Sequence, residues 1–197
     1  MASRTGERKL QILQILAEML QEPKAERITT AALAAKLQVS EAALYRHFAS
    51  KAQMFEGLIE FIEQTIFGLI NKIQGDAQSP TEQLHAILSM LLGFAEKNPG
   101  MTRVLVGDAL VNEDERLQVR INQLHDRLET TIKQCLRVIA SGVVGAGEGT
   151  PRPVNEDPTA QANLLLCFVI GRWHQFAKSG FKRRPSEHWE RQWSLLL

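Results

Sequence analysis

The sequence ITTAALAAKLQVSEAALYRHF, residues 28–48, predicts two short helices joined by a tight turn. A hydroxyl oxygen at a helix start accepts hydrogen bonds from unpaired backbone N–H groups, so Thr29 or Thr30 can cap the first helix and Ser40 the second. The second helix carries polar groups that are able to reach a phosphate or a base edge: Tyr45, Arg46 and His47. This layout is typical of a helix-turn-helix that binds double-stranded DNA.

The apolar residues around this stretch predict a small core that braces the second helix. Seven positions are expected to pack together: Leu13, Leu16, Leu33, Leu37, Val39, Leu44 and Phe48. The small side chains of Ala42 and Ala43 would let the backbone approach base edges, and alanine is able to contact a thymine methyl group. Taken singly, each polar residue here is also compatible with an ordinary helix surface. Their combination favours DNA binding.

We expect two kinds of contact from this unit. Phosphate contacts position a protein on the duplex, whereas base contacts specify the sequence. The hydroxyls of Thr29 and Thr30 lie at a helix start, where anions bind readily. The predicted DNA-binding residues are Thr29, Thr30, Ser40, Ala42, Ala43, Tyr45, Arg46, His47 and Lys51.

Helical spacing of apolar residues, interrupted by caps and prolines, recurs along the chain and predicts about nine helices and no strand. Ser50–Gln53 and Ser79–Glu82 are capping boxes that begin the fourth and fifth helices. Ser186 is expected to cap the last one. We predict a DNA-binding domain over residues 5–66, with its motif at about 29–48, and a helical core and dimerisation domain over 67–197. Glycine and proline predict an exposed loop at 142–157.

Charge and hydropathy are those of a globular protein. The chain has 197 residues and a formal net charge of +1. Residues 1–51 carry eight basic and five acidic side chains, +3, so the remainder carries −2. No apolar run reaches the roughly 18 residues of a membrane span, and polar residues interrupt the N-terminal helix where a signal peptide would be apolar. We therefore predict a cytoplasmic protein.

The sequence contains no motif typical of an enzyme. The glycines at 145–149 follow no strand and do not resemble a phosphate-binding loop. The five histidines form no i, i+4 pair for a metal, and the cysteines, Cys135 and Cys167, are expected to be reduced thiols. We predict a protein that is not an enzyme and that needs no cofactor or metal.

Residues 28–58 resemble the TetR family of dimeric regulators. The resemblance rests on Thr29–Thr30, Val39–Ser40, Leu44–Phe48, Ser50–Lys51 and Met54–Phe55. It implies an all-α, TetR-type fold: a three-helix DNA-binding domain, a connecting fourth helix, and two last long helices that pair in a homodimer. Apolar residues at 159–179 and 187–197 agree with such pairing. Two positions differ from the family pattern: Gln38 replaces the usual glycine of the turn, and Ala49 replaces a frequent proline.

Further stretches resemble the nucleoid occlusion subgroup of that family: residues 41–48, 58–63, 91–103, 116–118 with 120–124, and 181–185. The resemblance implies a nucleoid-associated dimer that binds dispersed palindromic DNA sites and antagonises FtsZ, the tubulin-like division protein. By resemblance, the partner-binding residues are Phe61, Met90, Gly93, Lys97 and Asn98. Lys97 stands where the resemblance implies an arginine. Leu69 stands where it implies a basic residue. Alternatively, Phe61, Met90 and the neighbouring Phe94 are core residues.

A ligand-responsive repressor of the same family is the alternative function. Such a protein needs an internal cavity in which a small molecule shifts the spacing of the two DNA-binding domains. Five residues are candidates to line it: Phe94, His125, Cys167, Trp173 and His174. The apolar helices around them favour a packed core or interface position for each of these residues. A filled core would favour division control, and a large pocket would favour the repressor.

Overall fold

The computed structural model describes residues 4–22, 28–76, 79–143 and 157–196, and these are helical with no strand. They form nine α-helices, as predicted: α1 Arg4–Met19, α2 Thr30–Lys36, α3 Glu41–Tyr45, α4 Lys51–Gly75, α5 Pro80–Lys97, α6 Pro99–Leu105, α7 Glu115–Val143, α8 Pro158–Lys178 and α9 Trp189–Leu196. A single 3-10 turn, Asp108–Leu110, follows α6. Most of the predicted 142–157 loop, residues 144–156, lies outside the described residues.

The chain forms two compact units, which we describe separately. The first unit comprises Met1–Gln64 with Lys97–Ile121, and the second comprises Thr65–Glu96 with Asn122–Leu197. The predicted boundary after residue 66 separates a DNA-binding segment from a dimerisation segment. It is a statement about function, not about compact units, and it stays a prediction.

The predicted capping boxes of α4 and α5 are confirmed. The Ser50 hydroxyl oxygen accepts the backbone N–H of Gln53 at 3.1 Å, and the Gln53 side chain accepts the N–H of Ala49 at 2.8 Å. At α5 the exchange is reciprocal between the two residues: the Ser79 hydroxyl oxygen accepts the N–H of Glu82 at 3.3 Å and Glu82 accepts the N–H of Ser79 at 2.9 Å, whereas Gln53 reaches the N–H one residue before Ser50. Hydrogen bonds from Ser79 lower the pKa of Glu82, because they stabilise its ionised form. Both helices therefore begin where the local sequence predicts.

In the first unit, α6 lies directly against α1. A Cβ atom built on Gly100 would stand 1.9 Å from the carbonyl oxygen of Ala17, so only glycine allows this approach. Arg103 reinforces the contact, since its guanidinium donates to the carbonyl of Leu20 at 3.2 Å and to Asp108 at 2.9 Å. α6 therefore packs against α1, the helix that is expected to support the predicted DNA-binding helices α2 and α3.

In the second unit, Trp173 is the largest fully buried side chain, with no exposed surface. Its indole N–H donates to the carbonyl of Leu91 on α5 at 3.0 Å. A second tryptophan, Trp189, donates to the Ser89 hydroxyl at 2.6 Å and stacks on His85 with 5.3 Å between ring centroids. Packed indoles therefore join α8 and α9 to α5.

The prediction that Ser186 caps the last helix is wrong, because α9 begins at Trp189. The Ser186 N–H donates instead to the carboxylate of Glu96 at 2.8 Å. Arg172 binds the neighbouring backbone, donating to the carbonyls of Arg184, Pro185 and Glu187 at 2.8–2.9 Å. These tertiary hydrogen bonds engage the backbone groups that a helix would use. His188 then turns the chain with a φ of 68°.

The described residues lack two further features, a membrane-spanning helix and a cluster of metal ligands. Within the described ranges, no helix combines the length and the apolar character that a membrane span requires. In the same part of the chain, no three His, Cys, Asp or Glu side chains are grouped as metal ligands would be.

Candidate DNA-binding surface

Gln38 forms the turn between α2 and α3 in the left-handed region, with a φ of 56°. Its N–H bonds to the carbonyl of Ala35 and the N–H of Val39 to that of Ala34, each at 3.0 Å. This pair of bonds is the Schellman motif that usually has glycine at the left-handed position. A side chain there costs on the order of 1 kcal/mol, so the departure from the family pattern changes the energy of the turn but not its shape.

Two predicted N-caps are confirmed, at α2 and α3. The Thr29 hydroxyl oxygen accepts the N–H of Ala32 at 3.1 Å, and the Ser40 oxygen accepts the N–H of Ala43 at 3.3 Å. Both residues are exposed. A hydroxyl that accepts at a cap keeps its own hydrogen as a donor, so Thr29 and Ser40 remain able to donate to a phosphate oxygen.

Residues 41–48, which comprise α3 and the three residues after it, divide between a buried and an exposed face. Leu44 and Phe48 are buried with the predicted core residues of α1 and α2, whereas Ala42, Tyr45 and Arg46 are exposed. The Tyr45 side chain is 44% exposed. Ala43 and His47 are half-buried, and the buried Nδ1 of His47 has no hydrogen-bond partner among the described residues. The exposed residues of α3 and its C-cap, Arg46, therefore share one face.

A hydrogen-bonded chain connects α2 to α3 across this face. Thr30 donates to the carboxylate of Glu41 at 2.6 Å, and the Tyr45 hydroxyl donates to the Thr30 oxygen at 3.4 Å. Sequence reasoning identified Thr30 and Tyr45 but not this connection, which orients both hydroxyls before any ligand binds.

Lys51 is placed differently from the free phosphate donor that the sequence suggested. Its ammonium forms an ion pair with Glu113 and lies 5.7 Å from the centroid of the Phe55 ring. The side chains of Lys51 and Glu113 are only 23% and 10% exposed. Sequence reasoning missed Glu113 because it lies 62 positions further along the chain, where no local pattern links it to Lys51.

The predicted partner-binding residues are distributed over both units. In the first unit, Phe61 and Asn98 are half-buried and Lys97 is exposed at the end of α5. In the second unit, Met90 is half-buried, and a Cβ built on Gly93 would meet no atom within 4 Å. Gly93 therefore has open space beside it on α5.

The candidate ligand-lining residues do not share one environment. Trp173 and Phe94 are buried, His125 is half-buried, and Cys167 and His174 are exposed. An open cleft on the second unit is lined by other residues: Ser186, His188, Trp189, Glu190 and Arg191. The packing of Trp173 thus gives no support to the ligand-responsive alternative.

Comparison with known proteins agrees with this geometry. A family described as "Bacterial regulatory proteins, tetR family" matches residues 12–58, and the SlmA-like "Tetracyclin repressor-like, C-terminal domain" matches residues 79–197. A nucleoid occlusion factor SlmA of Alteromonas mediterranea is 50% identical over 96% of this chain and 93% of that protein. One of Idiomarina loihiensis is 48% identical over 100% of this chain and 96% of that protein. This chain belongs to the SlmA branch of the TetR family.

Solved structures of more distant TetR-type proteins share the fold. The regulator PfmR of Thermus thermophilus superposes with a TM-score of 0.73 at 22% identity, covering 94% of this chain and 96% of that one. The fatty acid degradation regulator FadR of Bacillus halodurans gives a TM-score of 0.75 at 14% identity, covering 97% and 95%. The predicted family and the all-α, TetR-type fold are both confirmed.

Proposed function

We propose that this chain is a nucleoid occlusion factor, a homodimer that binds palindromic chromosomal DNA and antagonises FtsZ polymers over the nucleoid. The main support is the near-full-length identity of 50% with a protein named nucleoid occlusion factor SlmA. That identity covers the DNA-binding helices and the core together. A DNA-bound role places the protein on the nucleoid, in the cytoplasm.

The exposed face of α2 and α3 supports the DNA-binding part of the proposal. Thr29, Ser40 and Arg46 offer hydroxyl and guanidinium donors for phosphate oxygens. Thr30 and Tyr45 belong to the same proposed set, but each first has to redirect the hydroxyl hydrogen that it donates within the Tyr45–Thr30–Glu41 chain. Ala42 and Ala43 allow the backbone to approach base edges. His47 and Lys51 complete the proposed set. To bind a phosphate, Lys51 has either to break its ion pair with Glu113 or to contact the phosphate and the carboxylate together.

Exposed apolar side chains on α8 and α9 support the dimer. Leu164 on α8 is 53% exposed and Leu195 on α9 is 84% exposed. A second copy that covers these side chains would remove apolar surface from water, at roughly 25 cal/mol per Å². Dimerisation through residues 67–197 would present two DNA-binding domains, 5–66, to the two halves of a palindrome.

Replacing Arg46 by alanine is expected to weaken binding to a random-sequence DNA duplex about tenfold, because one phosphate contact and its counterion release are lost. The dependence of log K on log salt should become shallower by about 0.9. Fluorescence anisotropy of a labelled duplex over a KCl series measures both quantities. Arg137→Ala removes the same charge from an exposed position on α7 and should leave both unchanged. Equal effects of the two variants would contradict the proposed DNA surface.

The FtsZ part of the proposal is tested at Gly93. Because an added Cβ there meets no atom within 4 Å, we expect Gly93→Leu to fold normally and to bind DNA like the parent. We expect it to lose about tenfold in its inhibition of FtsZ polymers, measured by light scattering with GTP, since leucine would fill the space proposed for the partner. Gly68→Leu, at another open helical position, is the matched control. Full inhibition by Gly93→Leu would exclude these partner-binding residues.

Genome-wide occupancy mapping tests the function as a whole. Many scattered binding sites, sparse near the replication terminus, are expected of a division inhibitor tied to the chromosome. A single site beside a neighbouring gene would instead indicate a local repressor.

A further inference from the structure

The ion pair between Lys51 and Glu113 joins two distant parts of the first unit. Lys51 is the first residue of α4, immediately after the capping Ser50, and Glu113 lies between the 3-10 turn and α7. Both side chains are mostly buried, at 23% and 10% exposure. A pair shielded from water in this way is screened less by salt than a pair on the open surface.

The backbone around Glu113 holds its carboxylate in this position. Asn112 turns the chain with a φ of 64°, a conformation that asparagine adopts more readily than most residues. The N–H of Glu113 then donates to the carbonyl of Leu110 at 3.0 Å. On the other side, Asp114 accepts the N–H of Arg116 at 3.0 Å and caps α7. Glu113 is therefore placed by hydrogen bonds on both sides of it.

The carboxylate of Glu113 offers Lys51 the same chemistry as a DNA phosphate. Both are oxyanions that accept charge-assisted hydrogen bonds from an ammonium group. If Lys51 binds a phosphate while it stays beside Glu113, the carboxylate offsets part of its attraction to the phosphate. If Lys51 instead moves away from Glu113, the buried carboxylate loses its charged partner, which costs free energy. Either way, the carboxylate reduces the free energy gained from this phosphate contact.

We propose that Glu113 competes with DNA phosphate for Lys51 and thereby lowers the DNA affinity of the protein. The inference rests on the proposed DNA-binding function and extends it to a residue outside the helix-turn-helix. Arg46 provides the contrast, since it is exposed and pairs with no carboxylate among the described residues. Binding of a phosphate to Arg46 requires no exchange, whereas binding to Lys51 does.

Replacing Glu113 by glutamine is the direct test. The amide keeps the shape of the side chain and an oxygen that accepts from Lys51, but it removes the competing charge. We expect affinity for a random-sequence duplex to rise about fivefold, with a salt dependence steeper by about 0.9, since one more cation is available to phosphate. Glu115→Gln is the matched control. Glu115 lies two residues after Glu113 and is exposed, so this change removes the same charge from a side chain in contact with solvent. It should change affinity by less than about twofold.

A double-mutant cycle separates competition from a general change in charge. Lys51→Gln alone should weaken binding only about twofold, because its charge is already engaged, but about tenfold in the Glu113→Gln background. The double variant should then bind like Lys51→Gln. An equal gain from Glu113→Gln with and without Lys51 would overturn the proposal.

The outcomes distinguish this inference from the proposed function. A parent protein that binds no duplex at low salt would overturn both. A parent that binds normally, with Glu113→Gln indistinguishable from Glu115→Gln, would overturn the competition alone. Circular dichroism of each variant checks folding. Should Glu113→Gln unfold, the Lys51→Gln variant decides: a loss as large as that of Arg46→Ala contradicts the competition, and a smaller loss supports it.

Discussion

Replacing Gly100 by alanine is expected to destabilise the first unit by about 3 kcal/mol, at the upper end of the usual cost of overpacking. The added Cβ would lie 1.9 Å from the carbonyl oxygen of Ala17 and 3.2 Å from the Cβ of Leu20. Ala17 belongs to α1 and Leu20 directly follows it. Both obstacles sit on or next to the backbone, so no side-chain rotation relieves the overlap. One helix has to move away from the other.

Gly6→Ala is the matched control for this prediction, because Gly6 belongs to the same unit and an added Cβ there meets no atom within 4 Å. Removing a glycine from a helix without a clash stabilises it by up to about 1 kcal/mol. Urea unfolding followed by circular dichroism should therefore move the two variants in opposite directions. A Gly100→Ala protein as stable as the parent would show that α6 does not approach α1 as closely as described.

Gly100→Ala is also expected to affect DNA binding. Since α1 supplies the core residues Leu13 and Leu16 behind α2 and α3, displacement of α1 is expected to loosen the DNA-binding surface. We expect a lower affinity for DNA together with faster amide hydrogen exchange in α1, measured by mass spectrometry. This links the α6 contact to the DNA-binding helices through packing within one unit.

Replacing Trp173 by alanine is expected to cost about 3–5 kcal/mol, the range found when a large aromatic side chain is removed from a core. The indole is fully buried, and its N–H bond to Leu91 joins α8 to α5. Trp173→Phe keeps most of the packing but removes this bond, so we expect a smaller loss, with about 1 kcal/mol attributable to the hydrogen bond.

His174→Ala is the control for Trp173, because His174 is the next residue on α8 and is exposed. It should be within about 0.5 kcal/mol of the parent. Thermal unfolding of the three variants provides the comparison. A Trp173→Ala protein of parental stability would mean that this side chain lines an open cavity, and that result would favour the ligand-responsive alternative.

The sequence alone was sufficient to predict the helices and most of their starts. Thr29, Ser40, Ser50 and Ser79 cap the helices they were expected to cap, because each bond joins residues only three positions apart. The left-handed turn at Gln38 was predictable for the same reason. The buried and exposed faces of α3 followed from the spacing of apolar residues along one helix.

The tertiary structure alone decided the contacts between residues far apart in the chain. Glu113 meets Lys51 across 62 positions, and Arg172 takes the carbonyls that would have allowed α9 to begin earlier. A side chain has many potential partners of suitable chemistry, and only the folded path of the backbone determines which one lies within hydrogen-bond distance. Local hydrogen bonds and helical periodicity thus determined the elements and the candidate DNA-binding face, whereas packing decided the state of Lys51 on that face.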